Sequence, residues 1–222
     1  MDIVIAGGHG QIALLLAPLL AGRGDRVRGL IRNPDHSADL AAAGAEAVVC
    51  DLEAAEVEDI AGAIAGADAF VFAAGAGPGS GPQRKWTMDY AGAVKGMAAC
   101  RQAGVGRYVI VSSMGADPEA DDDGAFGTYL KAKGKADEKL AESGLDYTVV
   151  RPGALTDEPP TGRVAVGARL GRGTIPRADV AAVLAGVLAT PATVRRAFDV
   201  LVGDTAIEAA LQGLTGPRCL GT

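Results

Sequence analysis

A doubly wound parallel sheet with helices on both faces is the α/β fold that this sequence predicts. Three observations predict it. Short runs rich in Val and Ile alternate with longer Ala/Leu/Glu/Lys segments along the 222 residues. Each run is nearly continuously apolar, as a strand covered on both faces must be. One helical segment separates most successive runs, which is the crossover that parallel neighbours need.

The first strand is DIVIAG (2–7), and the apolar segment 11–22 follows it as a helix. RVRGLIR (26–32) is the second strand, with a helix at 35–43, and AEAVVCD (45–51) is the third, with a helix at 56–65. DAFVFAAG (68–75), RYVIVSS (107–113) and DYTVVRP (146–152) complete the six, with helices at 84–103 and 128–143 between them. After Pro152 the alternation loosens into the Gly/Pro-rich passage GALTDEPPTGRVAVGARLGRGTIP. A helix over RADVAAVLAGVLATP, a late strand AFDVLVG and a last helix AIEAALQGL close the chain. The length suits one domain, 1–222, with 154–178 and 205–222 as small substrate-side and C-terminal elements.

Composition narrows the function classes. With 21 basic and 27 acidic residues the net charge is −6, which disfavours a nucleic-acid partner. Cys50, Cys100 and Cys219 are odd in number and widely spaced, and neither His9 nor His36 adds a ligand spacing, so neither a disulfide framework nor a metal site is expected. The chain opens on MDIVIAGG without a basic leader, and IALLLAPLLA is short for a bilayer and is broken at Pro18. The expectation is a cytoplasmic protein with no membrane partner.

The first strand runs straight into AGGHGQIALLL, where Gly7, Gly10 and Ala13 are three apart and a helix begins at Gln11 and Ile12. Small residues there permit a tight turn, close approach of backbone to a pyrophosphate, and helix-on-strand packing; the helix N-terminus offers unpaired amides to the phosphates. Among 32 glycines a triplet alone says little, but its place between first strand and helix is the context a dinucleotide site requires. The second strand ends in Arg32, where proteins that prefer NAD carry a ribose-binding acid, so NADP(H) is favoured over NAD(H); a solvated strand-end arginine is the plain alternative. Asp51 and Leu52 close the third strand beside an adenine, and Ala73, Ala74 and Gly75 close the fourth where backbone can lie against a cofactor, although each also reads as an ordinary strand end.

At the end of the fifth strand, alternation sends Ser112 and Ser113 to opposite faces. Tyr129 and Lys133 lie one helical turn apart on one face. If that face meets the strand end, a hydroxyl, a phenol and an ammonium converge: the lysine favours phenolate, Tyr129 transfers a proton, and Ser113 bonds a carbonyl oxygen. Lys131, Lys135 and Lys139 share the helix, so surface charge explains the pair as well. Asp89 opens a helix, where it answers the dipole. The segment GAGPGSGPQRKW is glycine-rich enough to move, and its Trp86 is either an aromatic surface for substrate or core packing. The acidic stretch DPEADDDGAFG reads as a solvated rim, because it lacks calcium-loop spacing.

The ordered series IAGGHGQIA, LIRNP, CDL, DYAGAVKGMAACRQAGVGRYVIVSSMGA, YLKAKGKADEKLAESGLDYTVVRPGALTDEP and RADVAAVLAGVL resembles the atypical short-chain dehydrogenase/reductases. More narrowly, it is similar to the NAD(P)H-binding branch with NmrA-like proteins, flavin/biliverdin reductases and nucleotide-sugar epimerases. The resemblance spans nearly the whole chain and implies a Rossmann-like fold. It implies Gly7, Gly10 and Ala13 as the phosphate turn, with His9 departing from the family's small hydroxyl residue. It makes Arg32 the NADP-selecting position, Ser113, Tyr129 and Lys133 the active-site trio, and Pro152, Gly153 and Leu155 the border of the nicotinamide, and it sets the helix opened by Asp89 and Tyr90 near the cofactor or at a subunit interface. The expected activity is reduction of a small carbonyl, quinone or flavin-like substrate by a monomer or homodimer. Two alternatives stand: a non-catalytic NADP(H)-sensing regulator, since this branch contains such members, and an NAD-dependent nucleotide-sugar epimerase or dehydratase, for which the region after Pro152 leaves little room.

Overall fold

The computed structural model describes residues 1–77, 79–121 and 124–214. In chain order the elements are β1 (Asp2–Ala6), α1 (Gln11–Gly22), β2 (Arg26–Ile31), α2 (Ser37–Ala42), β3 (Glu46–Val49), α3 (Val57–Ala63) and β4 (Ala69–Phe72). A helical turn α4 (Pro82–Arg84) leads through a π-helical segment, Lys85–Gly92, into α5 (Ala93–Ala103). Then come β5 (Arg107–Val111), α6 (Gly124–Glu142), β6 (Asp146–Pro152), β7 (Ala154–Thr156), β8 (Arg163–Gly167) and β9 (Thr174–Pro176). The chain continues with α7 (Arg177–Ala189), β10 (Arg196–Val202), β11 (Thr205–Ala206) and α8 (Ile207–Gln212).

Among the described residues the main sheet has the order β11-β8-β10-β6-β5-β4-β1-β2-β3. Strands β3, β2, β1, β4, β5, β6 and β10 are parallel, and β8 adds antiparallel to β10. This is the Rossmann order, with its switch point between β1 and β4. Period-two alternation divides the side chains between two cores. Ile3 and Ile5, Ala69 and Val71, and Val109 face a cluster shared with α1, α7 and α8. Val4 and Ala6, Phe70 and Phe72, and Tyr108 and Ile110 face one shared with α3, α5 and α6. Helix α1 buries Ala13, Leu16, Ala17 and Leu20, one stripe at helical spacing.

Helix α1 spans Gln11–Gly22 as expected and runs through Pro18, with buried Leu16, Ala17 and Leu20 holding both sides of the proline against the sheet. Several expectations change. The loosened passage after Pro152 contains three strands: β8 extends the main sheet, while β7 and β9 pair in parallel beside it. The predicted helix at 128–143 begins four residues earlier, at Gly124, so the acidic rim is partly helical. Asp122 and Asp123 of that rim, Pro78, Cys219 and the rest of 215–222 lie outside the described residues. No helix among the described residues is long and apolar enough to cross a membrane.

At the sheet edge opposite the strand tips, Arg107 ties β5, β6 and α7 together through the Asp146 and Val187 carbonyls and the Thr148 and Thr193 hydroxyls. Burial pulls its guanidinium pKa down to about 10, against the opposing pull of Asp146. That end is fixed by buried polar bonds, and the C-terminal strand ends are left to carry the cleft.

Candidate functional site

The glycine turn is wedged between two strand tips. Gly7 adopts φ +77°, and a Cβ on it would lie 2.7 Å from the Ala74 Cα. A Cβ on Gly8 would lie 2.7 Å from the Gly29 Cα of β2. Gly8 N donates to the Leu30 carbonyl at 2.9 Å and Gly10 N to the Gly7 carbonyl at 2.8 Å, which fixes the loop. Gly10 caps α1 without a side chain, and the first turn carries no acid, so neither a side-chain cap at Gly10 nor an acid of that turn competes for the helix's leading amides. Backbone packed this closely leaves room for a phosphate where any larger residue would fill it. The arrangement fits a dinucleotide diphosphate.

A cavity of about 500 Å3 spreads from this turn along the tips of β2 and β3. Gly7, Gly10, Gln11, Ile12, Arg32, Asp51 and Leu52 line it, together with the β4 tip Ala73, Ala74 and Gly75. Arg32 is exposed there. Asp51 accepts from Glu53 N at 3.0 Å and so shapes its own turn, while Leu52 is buried. His9 and His36 stack at 3.6 Å with ring planes 13° apart, and His9 Nε2 meets Asp39 Oδ2 at 2.8 Å. Cys50 also lines this cavity, its thiol pKa pushed up chiefly by burial.

A second cavity, about 660 Å3, shares Ile12, Ala73–Gly77 and Leu155 with the first and reaches β5, β6 and α6. Ser113, Tyr129, Lys133, Pro152, Gly153 and Leu155 all line it. The two serines separate as alternation predicts: Ser112 is buried and donates to Asp137 Oδ2 at 2.9 Å, while half-buried Ser113 donates to the Met114 carbonyl at 3.2 Å. Arg151 Nε also reaches Asp137 Oδ2, at 2.9 Å. Burial raises the Asp137 pKa, with Arg151 and Ser112 pulling against it.

Lys133 is the pivot. Its side chain is 4% exposed, and its ammonium donates to the Val111 carbonyl at 3.0 Å and lies 3.2 Å from Asp89 Oδ1. Asp89, itself 1% exposed, accepts from Ala76 N through Oδ2 at 3.2 Å. One carboxylate therefore joins the β4 tip, the π-helical segment and the α6 lysine. Burial pulls the Lys133 pKa down, but the charge of Asp89, aided by Tyr129 and Asp137, outweighs it and the net shift is upward. Lys133 Nζ sits 5.9 Å from the Tyr129 ring centroid. Lys135 and Lys139 instead turn outward to Glu119, Glu138 and Glu142. The cations that spacing alone left equivalent are thus sorted by burial.

The description "NAD(P)H-binding" is that of the family matching residues 7–191. The chain belongs to the NAD(P)H-binding family. A nicotinamide dinucleotide is its cofactor class, and the cleft just described is where the chain offers room for one. Within this family setting, the chain is 40% identical over 215 residues to the uncharacterized sugar epimerase YhfK of Bacillus subtilis, covering 96% of this chain and 100% of that one. A solved structure from Bacillus halodurans, described as a candidate NAD-dependent epimerase/dehydratase, is 37% identical with TM-score 0.90 over 96% of this chain and 100% of the other. The oxidoreductase ylbE of Lactococcus lactis is 28% identical with TM-score 0.83 over 96% of each chain.

The structure of this NAD(P)H-binding chain adds to the expectations of its sequence, or decides between them, at several places. Gly8, which no motif position singles out beside Gly7 and Gly10, makes the close packing on β2. Of the two expectations for Trp86 the structure answers to packing: it lines neither cavity and lies edge-on to Tyr90 at 5.7 Å. The aromatic surface at the mouth is Phe126, 69% exposed and stacked on Tyr129 at 6.2 Å. The glycine-rich segment before it is tied down at its end, Arg84 to Glu53 at 2.9 Å and Lys85 to the Gly77 carbonyl at 3.1 Å. Asp89, expected either to answer the helix dipole or to lie near the cofactor, lines the second cavity as the partner of Lys133, and no local pattern pairs residues this far apart.

Proposed function

We propose that the protein is an NADP(H)-dependent oxidoreductase acting on a small carbonyl, quinone or flavin-like substrate. The observation that carries this reading is a buried, ion-paired Lys133 one turn from Tyr129, in a cavity continuous with the phosphate turn. When bound, the reduced nicotinamide would supply hydride to the acceptor atom of the substrate. The turn Gly7–Gly10 with Gln11 and Ile12 holds the diphosphate, Arg32 pairs with a 2′-phosphate, and Asp51 and Leu52 border the adenine. Ala73, Ala74 and Gly75 pass beneath, and Pro152, Gly153 and Leu155 close the far end.

Lys133 keeps its proton because Asp89 answers its charge, and with two partners fixed it retains one N–H for a ribose hydroxyl or the phenol. Tyr129 delivers its phenolic proton to the oxygen that gains charge, then recovers one from water. Ser113 swings its hydroxyl from the Met114 carbonyl to that same oxygen. In this reading the partner is a small molecule, with neither nucleic acid nor membrane involved, and the enzyme works in the cytoplasm as a single-domain monomer or homodimer.

A second reading is favoured by the names of the relatives above: an epimerase or dehydratase that oxidises and re-reduces one nucleotide sugar. The same Tyr129 and Lys133 would serve it. Titration with NADPH and NADH, then a screen of carbonyl, quinone and flavin acceptors at the nicotinamide absorbance, tests the first reading. Tight NADPH binding with net cofactor oxidation is expected. Epimer formation without net oxidation would establish the second, and tight binding without either reaction would make the protein a dinucleotide-loaded regulator.

A further inference from the structure

Arg177, the first residue of α7, lines the same cavity as Gly7, Gly10 and Gln11, yet belongs to none of the elements assigned to the cofactor above. Its NH1 lies 2.8 Å from Asp157 Oδ1, on the segment after β7, and Asp157 is 76% exposed. At first sight the pair is a strap holding that segment to α7. A second link makes the strap unnecessary. Asp179, two residues on and fully buried, accepts from Thr161 N, Thr161 Oγ1 and Gly162 N, each at 2.9 Å. That carboxylate anchors the segment, whereas a water-exposed ion pair contributes little.

The charges around the turn point the other way. A dinucleotide brings two negative charges to the diphosphate, and the turn answers with amides and a helix dipole but no cationic side chain. Of the arginines lining this cavity, Arg84 is committed to Glu53 and the Ala76 carbonyl, and Arg32 stands at the end of β2. Arg177 alone of the three is held only by an exposed acid, through one nitrogen of its five-donor fork.

We propose that Arg177 is the counter-charge of the cofactor's diphosphate, its guanidinium passing from Asp157 to the phosphate oxygens when a dinucleotide enters. The proposal rests on the cofactor site described above. It makes Arg177 indifferent to the 2′-phosphate: it serves NADP(H), NAD(H) and ADP alike.

Calorimetric titration of the full chain with NADPH, NADH and ADP tests this. Arg177→Ala is expected to weaken all three by a similar factor, roughly 10- to 100-fold, since a charge-assisted contact is lost. Arg177→Lys should recover part of the loss, and Asp157→Ala should bind all three at least as tightly as the natural chain. If Arg177→Ala fails to fold, judged by its thermal transition, Arg177→Gln replaces it with the same expectation. Unchanged binding in the folded variant overturns the proposal. So does an equal loss in Asp157→Ala, which would make the pair a structural strap. Failure of the natural chain to bind any of the three would instead bring down the cofactor reading itself, and this proposal with it.

Discussion

At the glycine turn the chain makes its site by leaving side chains out: Gly7 and Gly8 approach Ala74 and Gly29 so closely that a methyl group would collide with backbone. Around Lys133 it does the reverse, packing an ammonium and two carboxylates, Asp89 and Asp137, into a region almost closed to water. The first region offers preformed hydrogen-bond donors to a ligand that carries its own charge. The second stores charge in advance and balances it internally, so that a group placed beside it meets a fixed field. In the proposed reading, binding and chemistry are thereby supported by different physical means within one cleft, and substitutions should separate them.

The largest separation is expected from Tyr129→Phe. Turnover should fall about 10²- to 10⁴-fold while the NADPH dissociation constant stays as it was; parallel calorimetry and steady-state rates check both. Next comes Lys133→Met, which strands Asp89 as a buried uncompensated charge at a cost of about 3–5 kcal/mol in denaturant unfolding. Adding Asp89→Asn should return most of that stability. The pair also sets a pH dependence. Because the folded-state pKa of Lys133 is raised, its stabilisation is complete below lysine's ordinary 10.5 and is lost as pH climbs through the higher folded value. Unfolding midpoints measured across that alkaline range should fall in the natural chain more steeply than in the double variant.

At the other region, Gly8→Ala should cost about 2–3 kcal/mol and abolish nucleotide binding, since the new methyl can be admitted only by moving β2. Arg32→Ala should weaken NADPH roughly 10- to 100-fold and leave NADH alone, a contrast that one fluorescence titration series reveals. The smallest effect is a control of opposite sign. Gly62 lies within α3, where a Cβ meets nothing within 4 Å. Gly62→Ala should therefore stabilise by about 0.5–1 kcal/mol without touching binding.

The same contrast governs how much of the molecule is legible in its sequence. Strand runs such as DIVIA and AFVF are signalled by their own composition, and the turn by its place between the first strand and a helix, so the doubly wound class and the turn end of the cleft follow from local sequence. The RVAVG strand is just as apolar but lies among glycines and prolines, and its antiparallel addition to β10 depends on a partner over thirty residues away. The π-helical segment 85–92 is legible as helix but not as π, because a widened hydrogen-bond step leaves no periodic mark in so short a stretch. The start of α6 is hidden by Gly124 and Gly127, which read as loop. Asp89 and Lys133 show the limit most plainly: each stands out by its position, but what joins them is packing of helix against strand tip, a tertiary fact.

Gly29 carries a consequence for anyone wishing to transplant this turn. It sits in mid-strand, where glycine is disfavoured, and a Cβ there would collide with Leu40 Cδ2 and meet the Gly8 Cα at 3.3 Å. The loop is therefore specified by two stretches of sequence, and its portability depends on the second. Grafted without a hollow in the neighbouring strand, the motif would stand proud of its sheet and present its amides to bulk water in place of a phosphate.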